Sequence, residues 1–268
     1  MSQTGGMQPE DRPARETFDT VPDVYERARP RYPAAMFEDL FALLPDHPHV
    51  LEVGAGTGKA TRDLVERGAH VDAIEIGPAM AAKLRAVVPN HNLEVTVGNF
   101  EEVPMRKRHY DCVFSATAYH WIAPAAQLDR PAELLKLGGL VAIVDLIQVD
   151  SPTDDGFFAA AQQIYERHGR PHTGPPAPRR DDVDGPIRAE LEADSRFEQV
   201  SVRLYDWDQT YTAAQYRDLM VSVSPILLME QNARQGLLDE MEAFIGQHFA
   251  DRVTRPLVAA LTTATLAT

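Results

Sequence analysis

Short apolar runs alternate with amphipathic stretches over the first half of the chain. Five runs predict strands, and these are HVLEV (49–53), HVDAIEI (70–76), LEVTV (93–97), YDCVFS (110–115) and GLVAIVDLI (139–147). The segments between them, such as KATRDLVERG and AMAAKLRAVV, have helix formers at helical spacing and end at Gly68 and Pro89. This alternation predicts βαβ units and a parallel sheet. Apolar residues on both faces of the fifth run indicate a strand that is covered on both sides.

The alternation stops at residues 148–195. This segment contains one helical stretch, FFAAAQQIYERHG, and then the run GRPHTGPPAPRRDDVDGP, which is rich in Pro, Gly and charge. A segment of this composition is a poor core element, so we predict an insertion that forms a mobile flap. Two strand-like runs follow it, EQVSVRLYDW (198–207) and RVTRPLVAALTTATLAT (252–268). Between these runs, one helical face carries Leu237, Leu238, Met241, Phe244, Ile245 and Phe249.

The whole pattern predicts an α/β fold with a doubly wound sheet of seven strands and helices on both faces. Residues 1–15 have the composition of a disordered lead-in, and residues 16–268 are predicted to form one domain. The lead-in lacks the apolar middle of a signal peptide, and no apolar run approaches the roughly 20 residues that span a bilayer. The only cysteine, Cys112, gives no internal disulfide. These features predict a cytoplasmic protein.

The formal net charge is −14, from 40 acidic and 26 basic residues. A nucleic-acid-binding protein usually has a basic face, because phosphate contacts supply much of its affinity. The basic clusters here, Arg27/Arg29/Arg31 and 106–108, are short and contain no interleaved aromatic residues. We therefore expect neither a nucleic acid nor a membrane as partner, and we predict a small-molecule substrate. The sequence leaves the oligomeric state open.

A glycine-rich loop follows the first strand, and its residues are Gly54, Ala55, Gly56, Thr57 and Gly58. Such a loop allows a sharp turn into a helix whose free N–H groups face a ligand, although it can also serve tight packing alone. A dinucleotide fingerprint would need its third glycine at position 59, which is lysine. A phosphate-binding loop would need a hydroxyl at position 60, which is alanine. The loop therefore fits neither class.

The pattern Glu-x-Gly-x-Gly-x-Gly, which begins at Glu52, resembles the first motif of class I S-adenosylmethionine-dependent methyltransferases. The resemblance implies a Rossmann-like, mostly parallel sheet with an antiparallel last strand, and S-adenosyl-L-methionine as cofactor. It implies that Glu75 accepts hydrogen bonds from both ribose hydroxyls, a role it could also have in a dinucleotide enzyme. Asn99 would accept a hydrogen bond from the adenine amino group, without the charge of the more usual Asp. The cofactor-binding residues implied are Glu52, Gly54, Ala55, Gly56, Thr57, Gly58, Glu75, Ile76, Asn99, Phe100, Ser115, Ala116 and Arg29.

The N-terminal segment resembles the lid of bacterial methyltransferases related to the trans-aconitate and ubiquinone/menaquinone types. The likeness lies in Phe18-Asp19 and in the run YERARPRYP that follows it. It implies a helical lid over residues 16–45, in which Tyr25 and Arg29 lie over the cofactor. Both side chains could instead only pack and solvate a helix.

The run Tyr119-His120-Trp121, after the fourth strand, also recurs in that group. The first and fourth strands flank the point where such sheets reverse their order, so the end of the fourth strand lines the crevice. His120 is the candidate general base because an imidazole titrates near neutrality, and Tyr119 and Tyr25 are candidate orienting groups. These residues could instead pack the lid against the domain. The nine histidines show no paired metal-ligand spacing, so no metal site is predicted.

The sequence thus predicts transfer of a sulfonium methyl group to an O, N or C nucleophile of a small molecule. Two alternatives stay open: a protein that binds S-adenosylmethionine without methylating, and an NAD-dependent oxidoreductase. Lys59 disfavours the oxidoreductase because it occupies the place of the third dinucleotide glycine. The regions expected to form the acceptor pocket carry no recognisable motif.

Overall fold

Seven strands form one sheet in the computed structural model, which describes residues 12–150, 156–170 and 177–268. The strands are β1 (His49–Val53), β2 (His70–Glu75), β3 (Leu93–Val97), β4 (Tyr110–Ala116), β5 (Leu135–Gln148), β6 (Phe197–Tyr211) and β7 (Val253–Leu266). Their order across the sheet is β3-β2-β1-β4-β5-β7-β6. The order reverses between β1 and β4, which creates a crevice at the carboxyl ends of these two strands.

The strand directions confirm the predicted mostly parallel sheet with an antiparallel last strand. The first five strands pair in parallel, whereas β7 is antiparallel to both β5 and β6. The pairing of Gln148 with Leu257 therefore places the start of β7 at the same sheet edge as the end of β5. β5 begins at Leu135 and β6 ends at Tyr211, so both strands are longer than predicted.

Helices cover both faces of the sheet. The helices described are α1 (Arg12–Glu16), α2 (Pro22–Ala28), α3 (Ala34–Phe41), α4 (Thr61–Glu66), α5 (Pro78–Val87), α6 (Pro124–Leu134), α7 (Phe157–Arg167), α8 (Arg188–Ala193), α9 (Ala213–Val221), α10 (Ser224–Leu227) and α11 (Gln231–His248). Alternate strand residues point to opposite faces. Val50 and Cys112 pack in one core with α3, α4 and α5, whereas Leu51 and Val113 pack in another with α6 and α8.

The structure of the N-terminal segment corrects the prediction that residues 1–15 are disordered. Residues 1–11 of the expected lead-in lie outside the described residues, but α1 begins at Arg12, inside the segment predicted to be disordered. The predicted lid contains a 3-10 turn (Thr17–Thr20), α2 and α3. α2 lies against α5 and α9, so it connects the helix after β2 with the region after β6.

The segment 148–195 also differs from the predicted flap. Residues 151–155 and 171–176 lie outside the described residues. The predicted helical stretch forms α7, whose Phe157 is buried in a third core with α9 and α11. Leu191 of α8 is buried against the sheet. The charged run therefore contains an apolar residue that anchors a short helix. No helix among the described residues is long and apolar enough to cross a bilayer.

Candidate functional site

A cavity of about 580 Å³ opens at the carboxyl ends of β1, β2, β4 and β5. It lies at the point where the strand order reverses, which is where open α/β sheets bind their ligands. The lid and the segment around α10 complete its walls. Its size falls within the range of pockets that enclose a small molecule.

The glycine loop forms one wall of this cavity because its backbone adopts conformations that favour glycine. Gly54, Gly56 and Gly58 have φ angles of 71°, 58° and 92°. A Cβ atom at Gly54 would lie 2.3 Å from the Cβ of Ala118, so the turn packs directly on the segment after β4. A Cβ at Gly56 would instead meet only Met80 and Tyr25, at 3.7 and 3.9 Å. The loop therefore presents its backbone at Gly56 to the cavity.

Two buried carboxyl groups lie beside the loop. The Oε2 atom of Glu75 accepts a hydrogen bond from Gly56 N at 2.7 Å, and its Oε1 accepts one from Gly77 N at 2.8 Å. Burial raises the pKa of Glu75, and these backbone donors partly offset the rise. Glu52 is only 2% exposed, and its Oε2 has no hydrogen-bond partner among the described residues. Burial raises the pKa of Glu52 to about 8.

The turn after β3 contributes Asn99 and Phe100 to the cavity. The Oδ1 atom of Asn99 accepts a hydrogen bond from Glu101 N at 3.2 Å, which fixes the side chain in a tight turn. Phe100 is buried, and the guanidinium carbon of Arg130 lies 5.3 Å from its ring centroid. Ala55, Ile76 and Ala116, which were predicted to bind the cofactor, also line the cavity.

Three of the predicted cofactor residues lie behind the cavity wall instead. The buried hydroxyl of Thr57 donates to Glu26 Oε2 at 2.7 Å. A Cβ at Gly58 would lie 2.4 Å from Leu84 Cδ1, so this glycine permits packing of the loop on α5. The Ser115 hydroxyl donates to Val53 O at 2.7 Å and ties β4 to β1. These residues shape the loop, and their side chains do not reach the cavity.

The lid closes one side of the cavity with Tyr25 and Arg29. The ring of Tyr25 packs edge-on against Phe18, with 5.8 Å between centroids, and the Arg29 guanidinium carbon lies 5.1 Å from the Tyr25 ring centroid. Arg29 donates from Nη2 to Ser222 O at 2.6 Å, while its buried Nε has no partner among the described residues. The lid therefore brings one unpaired donor to the cavity.

A histidine and a carboxyl group line the cavity at the ends of β4 and β5. His120 is open to the cavity, and the surrounding walls lower its pKa because they reduce the solvation of the charged ring. The charge of Asp145 acts in the opposite direction. Burial raises the pKa of Asp145, and His120 partly offsets that rise. The two groups are thus close enough for each to alter the titration of the other.

The predicted role of Tyr119 is corrected by the structure. Tyr119 is 1% exposed and packs in the core beneath α6, where its hydroxyl donates to Gln127 O. The 3-10 turn Tyr119–Trp121 rotates neighbouring side chains apart, so His120 and Trp121 reach the cavity and Tyr119 does not. The run lies beside the cavity, but only two of its three side chains line it.

Sequence reasoning missed several residues of the site. Asp145 is the one charged residue in the apolar run GLVAIVDLI, and this exception could have marked it. Tyr32 lines the cavity with its hydroxyl 3.1 Å from Thr117 Oγ1, and Arg255 reaches it from β7. Tyr32 belongs to the run YERARPRYP that predicted the lid, whereas local sequence gives no signal for Arg255, which a distant segment brings to the cavity. Among the residues described, no cluster of three or more His, Cys, Asp or Glu side chains could hold a metal ion.

Comparisons with known proteins agree with this geometry. A family described as a methyltransferase domain matches residues 50–139. An uncharacterized methyltransferase of Mycobacterium tuberculosis is 31% identical over 257 residues, which cover 94% of this chain and 96% of that protein. A methyltransferase-like protein of Schizosaccharomyces pombe, also uncharacterized, is 32% identical over 133 residues, or 48% of this chain and 51% of that one.

Solved structures show the same fold. A provisionally named type II methyltransferase from Anaeromyxobacter dehalogenans has a TM-score of 0.61 at 17% identity, with 89% of this chain and 97% of that chain covered. A Haemonchus contortus phosphoethanolamine N-methyltransferase, solved with S-adenosylhomocysteine, has a TM-score of 0.52 at 17% identity, with 93% and 58% covered. The chain therefore belongs to the class I S-adenosylmethionine-dependent methyltransferases, and it is an enzyme of methyl transfer.

Proposed function

We propose that this enzyme methylates an O, N or C nucleophile of a small molecule, with His120 as the general base. The observation that carries the proposal is one continuous cavity, which contains the glycine loop and Glu75 as well as His120 and Asp145. The first pair of features suits a nucleoside-type cofactor, and the second suits the removal of a proton from an acceptor.

The cavity residues fit S-adenosyl-L-methionine. The unpartnered Oε2 of Glu52 suits a cationic amine, and the open backbone at Gly56 leaves room for a ligand to cross the loop. Glu75 would hold the ribose hydroxyls, Asn99 the adenine amino group, and Arg29 the carboxylate. Phe100, Ile76, Ala55, Ala116 and Gly54 would complete the binding surface. When bound, this cofactor supplies an electrophilic methyl group on a sulfonium sulfur.

His120 and Asp145 would handle the proton of the acceptor. A lowered pKa keeps the His120 ring neutral at neutral pH, so a ring nitrogen is free to accept a proton. Asp145 would then stabilise the imidazolium, because a nearby carboxylate favours the charged ring. Tyr25 and Trp121 line the same region and would hold the acceptor in place and exclude water. A base is needed only for an acceptor that must lose a proton.

The walls of the cavity favour a small acceptor over a macromolecule. Phe18 and Tyr25 of the lid line the cavity together with Leu219, Val223 and Pro225, because the lid lies against α9 and α10. The net charge of −14 also opposes binding to a polyanion such as nucleic acid. We therefore propose a free metabolite as the methyl acceptor.

Two measurements test this proposal. Calorimetry with S-adenosylmethionine and S-adenosylhomocysteine should detect binding of both, and the absence of binding would contradict the assigned cofactor site. Incubation with methyl-labelled S-adenosylmethionine and the small-molecule fraction of a cell extract should produce labelled metabolites. Binding without label transfer would instead favour a protein that binds the cofactor and does not methylate.

The role of His120 is tested by substitution. We expect His120→Ala to lower the rate of methyl transfer by about a hundredfold or more, the usual contribution of a general base, with little change in cofactor affinity. His91→Ala, at an exposed turn, is the matched control and should leave both unchanged. A parallel loss of rate and cofactor affinity in His120→Ala would make His120 a structural residue.

A further inference from the structure

The cavity that contains His120 and Asp145 is also lined by an arginine on the antiparallel strand β7. Arg255 lies near the start of β7, and the antiparallel direction of this strand brings it to the edge where β5 ends. β1 and β7 are three strand spacings apart in the sheet, which is about 14 Å. Arg255 therefore lies across the sheet from Glu52 and the glycine loop, and all of them line the same cavity.

Arg255 has no carboxylate partner among the described residues. Its Nε donates to Gln148 Oε1 at 2.9 Å, which orients the guanidinium group and leaves its positive charge unpaired. Its neighbours include three tyrosines, Tyr165, Tyr211 and Tyr216. Burial raises the pKa of each of these tyrosines, and the charge of Arg255 acts against that rise in all three. The guanidinium group is thus held by neutral partners only.

Apolar side chains also line the cavity that Arg255 shares with His120. They include Ile147, Leu257, Leu219 and Val223. An oriented guanidinium without a carboxylate partner suits the carboxylate of a ligand, which accepts two parallel hydrogen bonds from the fork. Only β5 separates β4 from β7 in the sheet, and His120 and Arg255 line the same cavity, which has room for a small molecule.

We propose that Arg255 binds the carboxylate of the methyl acceptor, which is a small and largely apolar acid. The inference rests on the proposed function, because it takes the region around His120 as the acceptor site. Arg29 is not part of it, since that residue is assigned to the cofactor. The nucleophile of the acceptor would lie near His120, and the carboxylate of the acceptor would lie near Arg255.

Matched ligands test the inference without knowledge of the natural acceptor. Three acids, hexanoate, 3-phenylpropanoate and indole-3-propanoate, are titrated by calorimetry into the complex with S-adenosylhomocysteine, each beside its alcohol and its amide. We expect at least one acid to bind about tenfold more tightly than its neutral analogues, as for a hydrogen bond to a charged group. Equal binding of acid and neutral forms, or no binding of any acid, would overturn the proposal.

Variants of Arg255 test whether this residue causes the preference for the acid over its neutral analogues. Arg255→Gln should abolish the preference for the acid, whereas Arg255→Lys should keep part of it because the charge remains. Arg252→Gln, at an exposed position before β7, is the control and should bind like the wild type. A preference that survives in Arg255→Gln would also overturn the proposal. Thermal unfolding shows whether Arg255→Gln folds. If it does not, the partial loss of the acid preference expected in Arg255→Lys tests the proposal instead.

The same titrations separate this inference from the proposed function. Failure of the cofactor site would appear as absent binding of S-adenosylhomocysteine to the wild type. In that case the acids are titrated into the free protein, and an acid preference that depends on Arg255 would still support the anion site. Label transfer to an acceptor that carries no negative charge would support methylation and overturn the inference.

Discussion

Glu52 combines burial with an unsatisfied carboxyl oxygen, and this combination sets how the cofactor site responds to pH. Its pKa of about 8, raised by burial and by the neighbouring charge of Glu75, leaves the carboxyl group protonated at neutral pH. A cationic amine bound beside it would favour the ionised form and lower this pKa. Binding of the cofactor should therefore release a proton below about pH 8.

This linkage gives a measurable pH dependence. The affinity for S-adenosylhomocysteine should rise with pH from about 6 to about 7.5, by at most about tenfold for each pH unit, while the ligand amine stays protonated. Calorimetry in buffers of different ionisation enthalpy should detect the released proton. Glu52→Gln should remove both effects and weaken binding, whereas the exposed control Glu38→Gln should behave like the wild type. Affinity independent of pH in the wild type would contradict the assignment.

The pair of His120 and Asp145 predicts a second pH effect. The pKa of His120 is lowered by reduced solvation and partly restored by Asp145, so the acid limb of the rate profile should lie below the ordinary value of 6.5. Asp145→Asn removes the restoring charge and should move that limb to still lower pH. The same change should lower the maximal rate about tenfold, because the imidazolium loses its partner.

The rate of methyl transfer as a function of pH checks this pair. Asp150→Asn, five residues further along the chain and exposed, is the matched control and should leave the profile unchanged. A limb that moves to higher pH in Asp145→Asn would show that the carboxyl group does not act on His120 in the way the structure indicates.

The place of a residue in the site was predictable where its backbone conformation requires that residue type. It was less predictable where packing determines the direction of the side chain. Gly54 and Gly56 follow from the turn itself, because their positive φ angles favour glycine. Tyr119 and Ser115 were placed in the correct segment, yet both side chains turn into the protein. The sequence names the segment that reaches the site, but packing decides which of its side chains face it.

At the scale of elements, the lid is fastened to the glycine loop by one carboxylate. Glu26 of α2 accepts a hydrogen bond from Thr57 at 2.7 Å, and its side chain lies 3.4 Å from Lys59 and 3.5 Å from Arg62. Glu26 and Lys59 are mostly buried, with 17% and 15% of their side chains exposed. The cluster therefore joins the helix that carries Tyr25 to the glycine loop and the start of α4.

Loss of this charge should loosen the lid. Glu26→Gln leaves Lys59 without its carboxylate in a mostly buried site, which costs about 1–3 kcal/mol. We expect S-adenosylhomocysteine to dissociate about tenfold faster, measured by stopped-flow fluorescence of Trp121, which lines the cavity. Arg27→Gln breaks only an exposed ion pair with Asp218 and should have little effect. Equal dissociation rates in the two variants would show that the cluster does not hold the lid.

The strands of the first half were predictable because their apolar runs are short and bounded by turns. The second half was harder to interpret, since its elements depend on tertiary contacts. Helix α8 begins after Ile187, which has a left-handed conformation, and the packing of Ile187 and Leu191 fixes the helix against the sheet. The sequence at the start of β7 does not indicate that Arg255 lines the cavity, because the antiparallel pairing with β5 places it there.

At the scale of the whole molecule, the net charge and the strand order together determine which partners can reach the cavity. The sheet order collects the ends of five strands at one edge, so residues far apart in sequence share one cavity. With a net charge of −14, the protein as a whole presents a negative field to large partners. An anionic metabolite can still be held by local arginines, since short-range pairing exceeds a long-range field that salt screens.

This arrangement predicts which acceptors receive the methyl group. After incubation with methyl-labelled S-adenosylmethionine, label should enter the low-molecular-weight fraction of a cell extract, and total RNA or DNA should remain unlabelled. Binding to RNA should be undetectable near physiological salt, because few phosphate contacts are available to release counterions. Lower salt should not reveal specific binding, as repulsion between like charges grows when screening weakens. Label in nucleic acid that nuclease digestion releases would contradict the small-molecule assignment.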